Sequence, residues 1–275
     1  MQKLLFMLLT TCSLSLAAQS LKVMTYNIRY HNHSDGVNGW NHRKEKVVEL
    51  ILKSNPDVLG VQEALHSQMK DLCKLLKDYA YVGVGREDGK EKGEYVAIFY
   101  KKSRLKVVKS GSFWLSETPE TPGSMGWDAA CTRMATWAEF EELNTKKQFL
   151  VASAHLDHVG TQARLQSMFK LKTWFSAYPS KKPSILCGDF NFEPTEEPYQ
   201  AFFSQEENWK DTRPAANKQG TYCGFEKGKM ECKTIDYVFV SNEWKAENFD
   251  VPQDNNGTYY PSDHLPVVVT ISLQP

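Results

Sequence analysis

The chain carries an acid and an imidazole side by side near its C-terminus, at Asp263 and His264, between Pro261 and Pro266. A prolyl ring fixes φ and removes a backbone donor, so these prolines stiffen the loop that carries the pair. A carboxylate beside an imidazole can hold a metal ion or move a proton, as hydrolytic sites require. A pair exposed in a surface turn is the alternative, and other segments of the chain favour a site.

Further polar side chains stand at the ends of apolar segments whose composition is typical of β-strands. The residues at these ends are Asn27, Glu63, His155, Asp189 and Asn191, and Asp236 opens the apolar run from Tyr237 to Val240. A rigid sheet presents reactive groups at its strand ends and in the loops that follow them. Each residue alone could be a cap or a strand terminator, but the whole set predicts one site.

Six short segments resemble, in their order along the chain, the signature segments of the endonuclease/exonuclease/phosphatase superfamily, which includes pancreatic deoxyribonuclease and the abasic-site endonucleases. They are Thr25-Tyr26-Asn27-Ile28-Arg29, Val61-Gln62-Glu63, Ala154-His155-Leu156-Asp157, Gly188-Asp189-Phe190-Asn191, Thr234-Ile235-Asp236-Tyr237 and Ser262-Asp263-His264. The resemblance, which runs from about Leu21 to about Ile271, implies an α/β (α+β) fold. In that fold two mixed β-sheets pack face to face in a four-layer α/β/β/α sandwich, with helices outside and the site at one edge.

The chemistry of these residues suits the hydrolysis of a phosphate ester. The ester's negative charge repels an incoming hydroxide, so a catalyst needs a cation on the phosphoryl oxygens and a base for water. Hard oxygen ligands favour Mg²⁺ or Mn²⁺, and Glu63 is the best candidate for a direct ligand. Asn27 shares that role or holds a metal-bound water, and the resemblance adds Asp263 as a contributor to metal binding. The sequence shows no Cys/His cluster with zinc spacing.

The resemblance also implies the catalytic roles. Asp189 positions and deprotonates the attacking water, and Asn191 orients that water or the phosphate. His155 and His264 act on the scissile phosphate from opposite sides. Asp236 is expected to pair with His264, because an imidazolium needs a carboxylate to raise its pKa and fix its tautomer.

Two weaker assignments rest on similarity to pancreatic deoxyribonuclease. Glu94 matches the carboxylate that orients the first histidine there, and Arg133 matches an arginine that faces the phosphate. An exposed glutamate at a strand edge and a solvated arginine are the alternatives for these two residues.

Two loops are expected to form the walls of the substrate cleft. Residues 35–44 run into a helix and bring Trp40 and Arg43, which can stack on a sugar or base and hold a phosphate. Residues 115–128 form a long loop with proline and glycine, tipped by Trp127. Packing of Trp40 under its loop, with Arg43 solvated, is the alternative.

Charge bears on the substrate. The chain has 33 basic and 33 acidic residues and a formal net charge of zero, whereas proteins that bind long nucleic acids usually show a cationic footprint. The favoured function is therefore a secreted, divalent-metal-dependent phosphoesterase that acts on a phosphorylated small molecule, a monoester or diester, by in-line attack of water. A secreted endonuclease or exonuclease acting on DNA or RNA is the alternative, and a non-catalytic binding module on the same scaffold is a third. No protein partner is indicated.

The N-terminus predicts export. Lys3 precedes an apolar stretch from Leu4 to Leu16, and small residues follow, so residues 1–19 are interpreted as a signal peptide. Residues 20–275 then form a single catalytic domain, which is similar to secreted bacterial members of the superfamily, in the periplasm or outside the cell. A lipoprotein anchor at Cys12 is a minor alternative. No later stretch is apolar enough to span a membrane.

Apolar periodicity predicts helices around residues 42–54, 67–77, 161–178 and 195–203. The apolar face of the third helix, Phe169 included, is expected in the core. Five cysteines remain after the signal, so at least one thiol is unpaired. Cys223 and Cys232 flank a plausible hairpin and are the best candidates for a disulfide, whereas Cys187 is expected in a buried strand.

Overall fold

The computed structural model describes residues 20–204, 208–253 and 257–274. The predicted signal peptide and Cys12 lie outside these ranges. Within them, no helix is both long and apolar enough to cross a membrane.

The described chain contains twelve strands and four α-helices, with a short 3₁₀ segment at His33–Asn38. The strands are β1 (Ser20–Asn27), β2 (Val58–Ala64), β3 (Tyr79–Val82), β4 (Tyr95–Lys101), β5 (Leu105–Trp114), β6 (Met134–Glu142), β7 (Gln148–His155), β8 (Ser184–Asp189), β9 (Trp209–Asp211), β10 (Asp236–Ser241), β11 (Trp244–Asp250) and β12 (Val267–Leu273). The helices are α1 (Trp40–Ser54), α2 (His66–Leu75), α3 (Thr161–Ala177) and α4 (Glu197–Phe203). All four predicted helices are confirmed, with small shifts at their ends.

The strands form two mixed sheets. The first has the order β11-β12-β1-β2-β4-β3 and the second the order β5-β6-β7-β8-β10-β9. One parallel pair lies in each sheet, β1 with β2 and β7 with β8. A parallel pair needs a crossover, and α1 and α3 supply it. The other named pairs are antiparallel.

Three large apolar clusters lie between the layers and hold them together. Side chains of both sheets meet in the middle of the molecule, where Val23, Val151 and Val269 are fully buried. A second cluster joins α1 and α2 to the first sheet, and a third joins α3 and α4 to the second sheet. Burial of these apolar faces is the main force that holds the layers together. The predicted four-layer sandwich is thus confirmed.

Local sequence explains where α1 stops. Asn55 adopts a left-handed conformation with φ of 52° and donates its N–H to Ile51 O, and Pro56 follows. Asparagine tolerates this conformation better than most residues, and proline cannot continue the helix. In α3 one expectation is wrong, because the side chain of Phe169 is 42% exposed.

The cysteines divide as the sequence indicated. Cys223 and Cys232 form a disulfide, and Cys187 lies buried in β8 with a free thiol. Cys73 and Cys131 are also free. The bridge closes a hairpin-like segment whose position matters for the site.

Candidate active site

The two parallel strand pairs end at the same edge of the sandwich. In the first sheet Asn27 is the last residue of β1 and pairs with Gln62, so Glu63 is next along β2. In the second sheet His155 at the end of β7 pairs with Asp189 at the end of β8. Parallel neighbours present their carboxyl ends on one side of a sheet. Packing of the two sheets then brings all four side chains together.

A cavity of about 460 Å³ opens at this edge. It is lined by Arg29, Tyr30, Glu63, Arg86, Glu94, Cys131, Arg133, His155, His158, Asp189, Asn191, Tyr222, Ile235, Asp263 and His264. A volume of this size falls in the range of small-molecule sites. Most of its polar side chains can carry a charge, which suits a charged ligand.

Asn27 joins the two sheets at the base of the site. Its Nδ2 donates to Glu63 Oε1 at 3.0 Å and to Asp189 Oδ2 at 2.9 Å, and its Oδ1 accepts the N–H of Arg29. Burial would raise the pKa of Glu63, but the charge of His264 and the hydrogen bonds from Asn27 and the Tyr30 N–H lower it. Glu63 is therefore held ionised, and Asn27 fixes it beside Asp189.

His264 is oriented by Asp236. Nδ1 of His264 lies 2.9 Å from Asp236 Oδ2, and Asp236, the first residue of β10, is fully buried. Burial opposes the charge on the imidazole, but the carboxylates of Asp236 and Asp189 outweigh it and raise the pKa of His264 well above its ordinary value. In this orientation, Nε2 of the protonated ring lies 3.7 Å from Asp189 Oδ2.

His155 has the opposite electrostatic environment. Burial lowers its pKa well below the ordinary value, and the charges of Arg133 and Arg86 lower it further. Arg133 Nη1 lies 2.9 Å from Nε2, and since a guanidinium can only donate, Nε2 accepts and the ring proton is on Nδ1. That nitrogen lies 4.0 Å from Glu94 Oε2, which also contacts Arg86 Nη1 at 2.7 Å.

Asp189 lies between the two imidazoles. Its Oδ2 is 3.5 Å from His155 Nε2, and its Oδ1 accepts the backbone N–H of Asn191 at 3.0 Å. Burial, followed by the charge of Asp236, raises the pKa of Asp189 to about 7. A carboxylate with this pKa is suited to take a proton from water at neutral pH. Asn191, with φ of 52°, is held in turn by donation from its Nδ2 to Leu156 O.

The sequence profile of the endonuclease/exonuclease/phosphatase family matches residues 24–264 of this chain. The chain belongs to this family. A mannosyl-6-phosphatase from Bacteroides thetaiotaomicron is similar to it, with 36% identity and a TM-score of 0.84, over 92% of this chain and 100% of that one. A second family protein from the same organism has 36% identity and a TM-score of 0.86, over 94% of this chain and 99% of that one.

A eukaryotic relative is more distant. Nocturnin from Drosophila melanogaster is 26% identical over 322 residues, which cover 96% of this chain and 48% of that protein. The chain therefore spans about half the length of this relative. Members of the endonuclease/exonuclease/phosphatase family are metal-dependent hydrolases of phosphoric esters, and this chain is such an enzyme.

The donor set of this family member fits a hard divalent cation. Glu63, Asp189 and Asp263 line the cavity, and donor atoms of Glu63, Asp189 and His155 lie within 4.8 Å of one another. Burial raises the pKa of Asp263, and the charge of Glu63 adds to the effect. A cation among these carboxylates would offset their mutual repulsion, and carboxylate oxygens are the ligands that Mg²⁺ and Mn²⁺ prefer.

Arg133 lines the cavity and is held on three sides. Besides His155, it contacts Asp157 Oδ2 through Nε at 3.3 Å and His158 Nδ1 through Nη2 at 2.8 Å. Asp157 also accepts the N–H groups of Val159 and Gly160, which keeps it in place. The guanidinium is therefore fixed before any substrate arrives.

Two expectations about the cleft walls are wrong. Trp40 is 1% exposed and donates its indole N–H to Asp71, and Arg43 is 4% exposed. Arg43 donates to the backbone carbonyls of Asn38, Ile28, Arg29 and Pro261. Both side chains start from the first turn of α1 and are buried, and neither lines the cavity, so they support the site from beneath. Trp127 also lies outside the cavity lining; it is half-buried, and its N–H donates to Glu117.

Sequence reasoning missed several residues of the site. Arg29 lies 3.9 Å from Asp263 and 4.0 Å from Glu63, and Asp35 holds it at 3.3 Å. Its place two positions after Asn27, in a recognised segment, could have pointed to it. Arg86, His158 and Tyr222 also line the cavity. His158 directly follows the segment that ends at Asp157, which could have pointed to it, whereas nothing near Arg86 or Tyr222 in the sequence marks them.

Proposed function

We propose that this protein is an exported, Mg²⁺- or Mn²⁺-dependent phosphatase that hydrolyses a phosphate ester of a small molecule, with a sugar phosphate as the leading candidate. The observation that carries the proposal is the cavity of about 460 Å³, with Asp189, His155 and His264 around one point of its wall. A cavity of this size accommodates a compact ligand, whereas a nucleic-acid strand requires an extended cationic groove.

Similarity and charge support a small substrate. The neighbour named a mannosyl-6-phosphatase shares 36% of its sequence with this chain over nearly its whole length. The formal net charge of zero also weighs against a nuclease that binds many phosphates. Three arginines do line the cavity, but each faces at least one carboxylate within 4.0 Å.

Asp189 acts as the base in the proposed reaction. Its pKa of about 7 lets the carboxylate accept the proton that water loses on attacking phosphorus. Asn27 donates to Oδ2 and the Asn191 N–H donates to Oδ1, so the carboxylate cannot rotate away. The attacking water is thereby oriented toward the cavity.

His264 and the His155–Arg133 pair stabilise different parts of the reacting group. His264, kept protonated by Asp236, donates from Nε2 to a phosphoryl oxygen as negative charge grows there. Arg133 lies on the opposite side with His155 and supplies a second fixed positive charge. A divalent cation held by Glu63 and Asp263 would neutralise phosphoryl charge and assist departure of the leaving oxygen.

Export is part of the proposal. The disulfide between Cys223 and Cys232 supports it, because disulfides persist in oxidising compartments and are rare in the cytosol. The predicted signal peptide at residues 1–19 also supports export.

A substrate panel with metal control tests this function. Purified protein would be assayed with sugar phosphates, nucleoside monophosphates, bis-p-nitrophenyl phosphate, plasmid DNA and RNA, each with EDTA and with Mg²⁺ or Mn²⁺ restored. We expect phosphate release from a sugar phosphate that stops in EDTA and returns with metal. The Asp189→Asn variant serves as the matched control for contaminating phosphatase.

The other outcomes are distinct. Cleavage of plasmid or RNA at physiological salt, without turnover of any small ester, would make the protein a nuclease with the same metal chemistry. Full turnover in excess chelator would exclude the metal-dependent mechanism.

A further inference from the structure

The disulfide-closed segment, residues 221–233, bonds to the backbone beside both members of the Asp236–His264 pair. Asp236 opens β10, whereas His264 belongs to the loop before β12, so the two residues come from different sheets. Their 2.9 Å hydrogen bond requires that both backbones be fixed relative to each other. The disulfide-closed segment bonds to both backbones.

Thr221 holds the Asp236 side. Its side chain is fully buried, and Oγ1 accepts the N–H of Ile235 at 3.2 Å and the N–H of Asp236 at 3.1 Å. Its own N–H donates to Lys233 O at 2.7 Å. The Thr221 hydroxyl thus fixes the backbone at the start of β10, and with it the position of Asp236.

Thr221, Tyr222 and Cys223 hold the His264 side. Leu265 N–H donates to Thr221 O at 2.6 Å, and Cys223 N–H donates to Asp263 O at 2.9 Å. The ring of Tyr222 lies against the imidazole of His264, with centroids 5.0 Å apart. The backbone on either side of His264 is therefore tied to residues 221–223.

The disulfide closes this arrangement. Tyr222 and Lys233 exchange two backbone hydrogen bonds of 2.9 Å, and Cys223 and Cys232 are joined immediately inside that pair. The turn between the cysteines is also held by backbone hydrogen bonds from Tyr260 N–H to Phe225 O at 2.7 Å and from Lys227 N–H to Thr258 O at 3.1 Å. The bridge limits how far residues 221–223 can move from Lys233 and from the start of β10.

We infer that Thr221 and the Cys223–Cys232 disulfide are positioning elements of catalysis, which set the distance between Asp236 and His264. Neither lines the cavity, and both act through the acid–imidazole pair. The inference rests on the proposed function because it assigns His264 to the reacting phosphate. A misplacement of about 1 Å in such a pair can cost about a hundredfold in rate.

Three variants and one reagent test the inference on the full exported chain. They are Thr221→Val, Thr221→Ser, the double variant Cys223→Ser/Cys232→Ser, and wild type with dithiothreitol. We expect kcat to fall by about tenfold to a hundredfold for Thr221→Val and for the double variant. Thr221→Ser keeps the hydroxyl acceptor and should stay within about threefold of wild type, since the hydrogen bonds to Ile235 and Asp236 remain.

The decisive measurement repeats the changes in a His264→Ala background. If the segment acts through His264, removal of the disulfide or of the Thr221 hydroxyl should cost no further activity there, because the coupled effects do not add. A merely structural role would give the same fold-loss in both backgrounds. Circular dichroism and urea unfolding confirm that each variant is folded.

Dithiothreitol keeps the test sound if the double variant folds poorly. Reduction of folded wild type should lower kcat to the level of the double variant, and the reagent should leave a folded double variant unchanged. Unaltered kcat after proven reduction, or losses that add fully to His264→Ala, would overturn the inference. Inactivity of the wild type would instead count against the proposed function.

Discussion

Two βαβ units of this molecule put different chemistry at the same place in the fold. In the first, β1 and β2 flank α1 and present Asn27 and Glu63 near their carboxyl ends. In the second, β7 and β8 flank α3 and present His155 and Asp189. The parallel register places each pair of side chains as neighbours, so the sheet supplies proximity and the residue types supply the reaction.

The difference lies in the charges that surround each unit. The first unit offers an ionised carboxylate, with Arg29 and Asp263 beside it, and suits a cation. The second offers a carboxylate with a pKa of about 7, next to a neutral imidazole and Arg133, and suits proton transfer and phosphate binding. Similar backbone geometry therefore carries side chains suited to a metal ion on one side and the proposed base on the other.

The largest effect should come from the second unit. Asp189→Asn removes the proposed base without a change of shape, and we expect kcat to fall by about 10² to 10⁴. Steady-state kinetics with saturating metal measures this, and exposed Asp78→Asn is the matched control. Near-normal turnover of Asp189→Asn would show that another group in the site acts as the base.

The two histidines sharpen the comparison. His264→Ala and His155→Ala should each lower kcat by about 10² to 10³, since each removes or misplaces a group that stabilises transition-state charge. The control substitution His42→Ala, at an exposed residue, should leave kcat unchanged. If either active-site variant kept wild-type kcat, that imidazole would have only a structural role.

The first unit should respond through the metal. Glu63→Gln keeps the size of the side chain but loses its charge, so we expect the metal concentration for half-maximal activity to rise by about ten- to a hundredfold. Calorimetric titration of Mn²⁺ gives a second readout that does not depend on turnover. Exposed Glu49→Gln is the control, and an unchanged metal requirement would argue against Glu63 as a ligand.

The smallest effect should come from beneath the site. Trp40→Phe loses the hydrogen bond from the indole to Asp71, and we expect a loss of about 1 kcal/mol in the free energy of unfolding. Urea denaturation measures the loss, and kcat and KM should stay at wild-type values. A large rise in KM with unchanged stability would restore Trp40 to the substrate cleft.

Much of the site followed from the sequence because strand ends are local features. Asn27, Glu63, His155 and Asp189 each close an apolar run, and their order along the chain matches a family pattern. The same reasoning failed for Trp40 and Arg43. Trp40 and Arg43 do lie near the site, as their position in the sequence suggested. The direction of a side chain at the start of α1, however, depends on which face of that helix packs on the sheet.

The sequence by itself indicated the four helices, the residue types at the ends of the strands around the site and the cysteine pair best placed for a disulfide. Only the tertiary structure decided which of these groups meet. Asn27 and Asp189 are 162 positions apart, yet they share a 2.9 Å hydrogen bond because two sheets pack face to face. The tertiary structure also brings Arg29 and Arg86 to the wall of the cavity. Contacts between sheets depend on how whole apolar faces fit together, and no short segment of sequence carries that information.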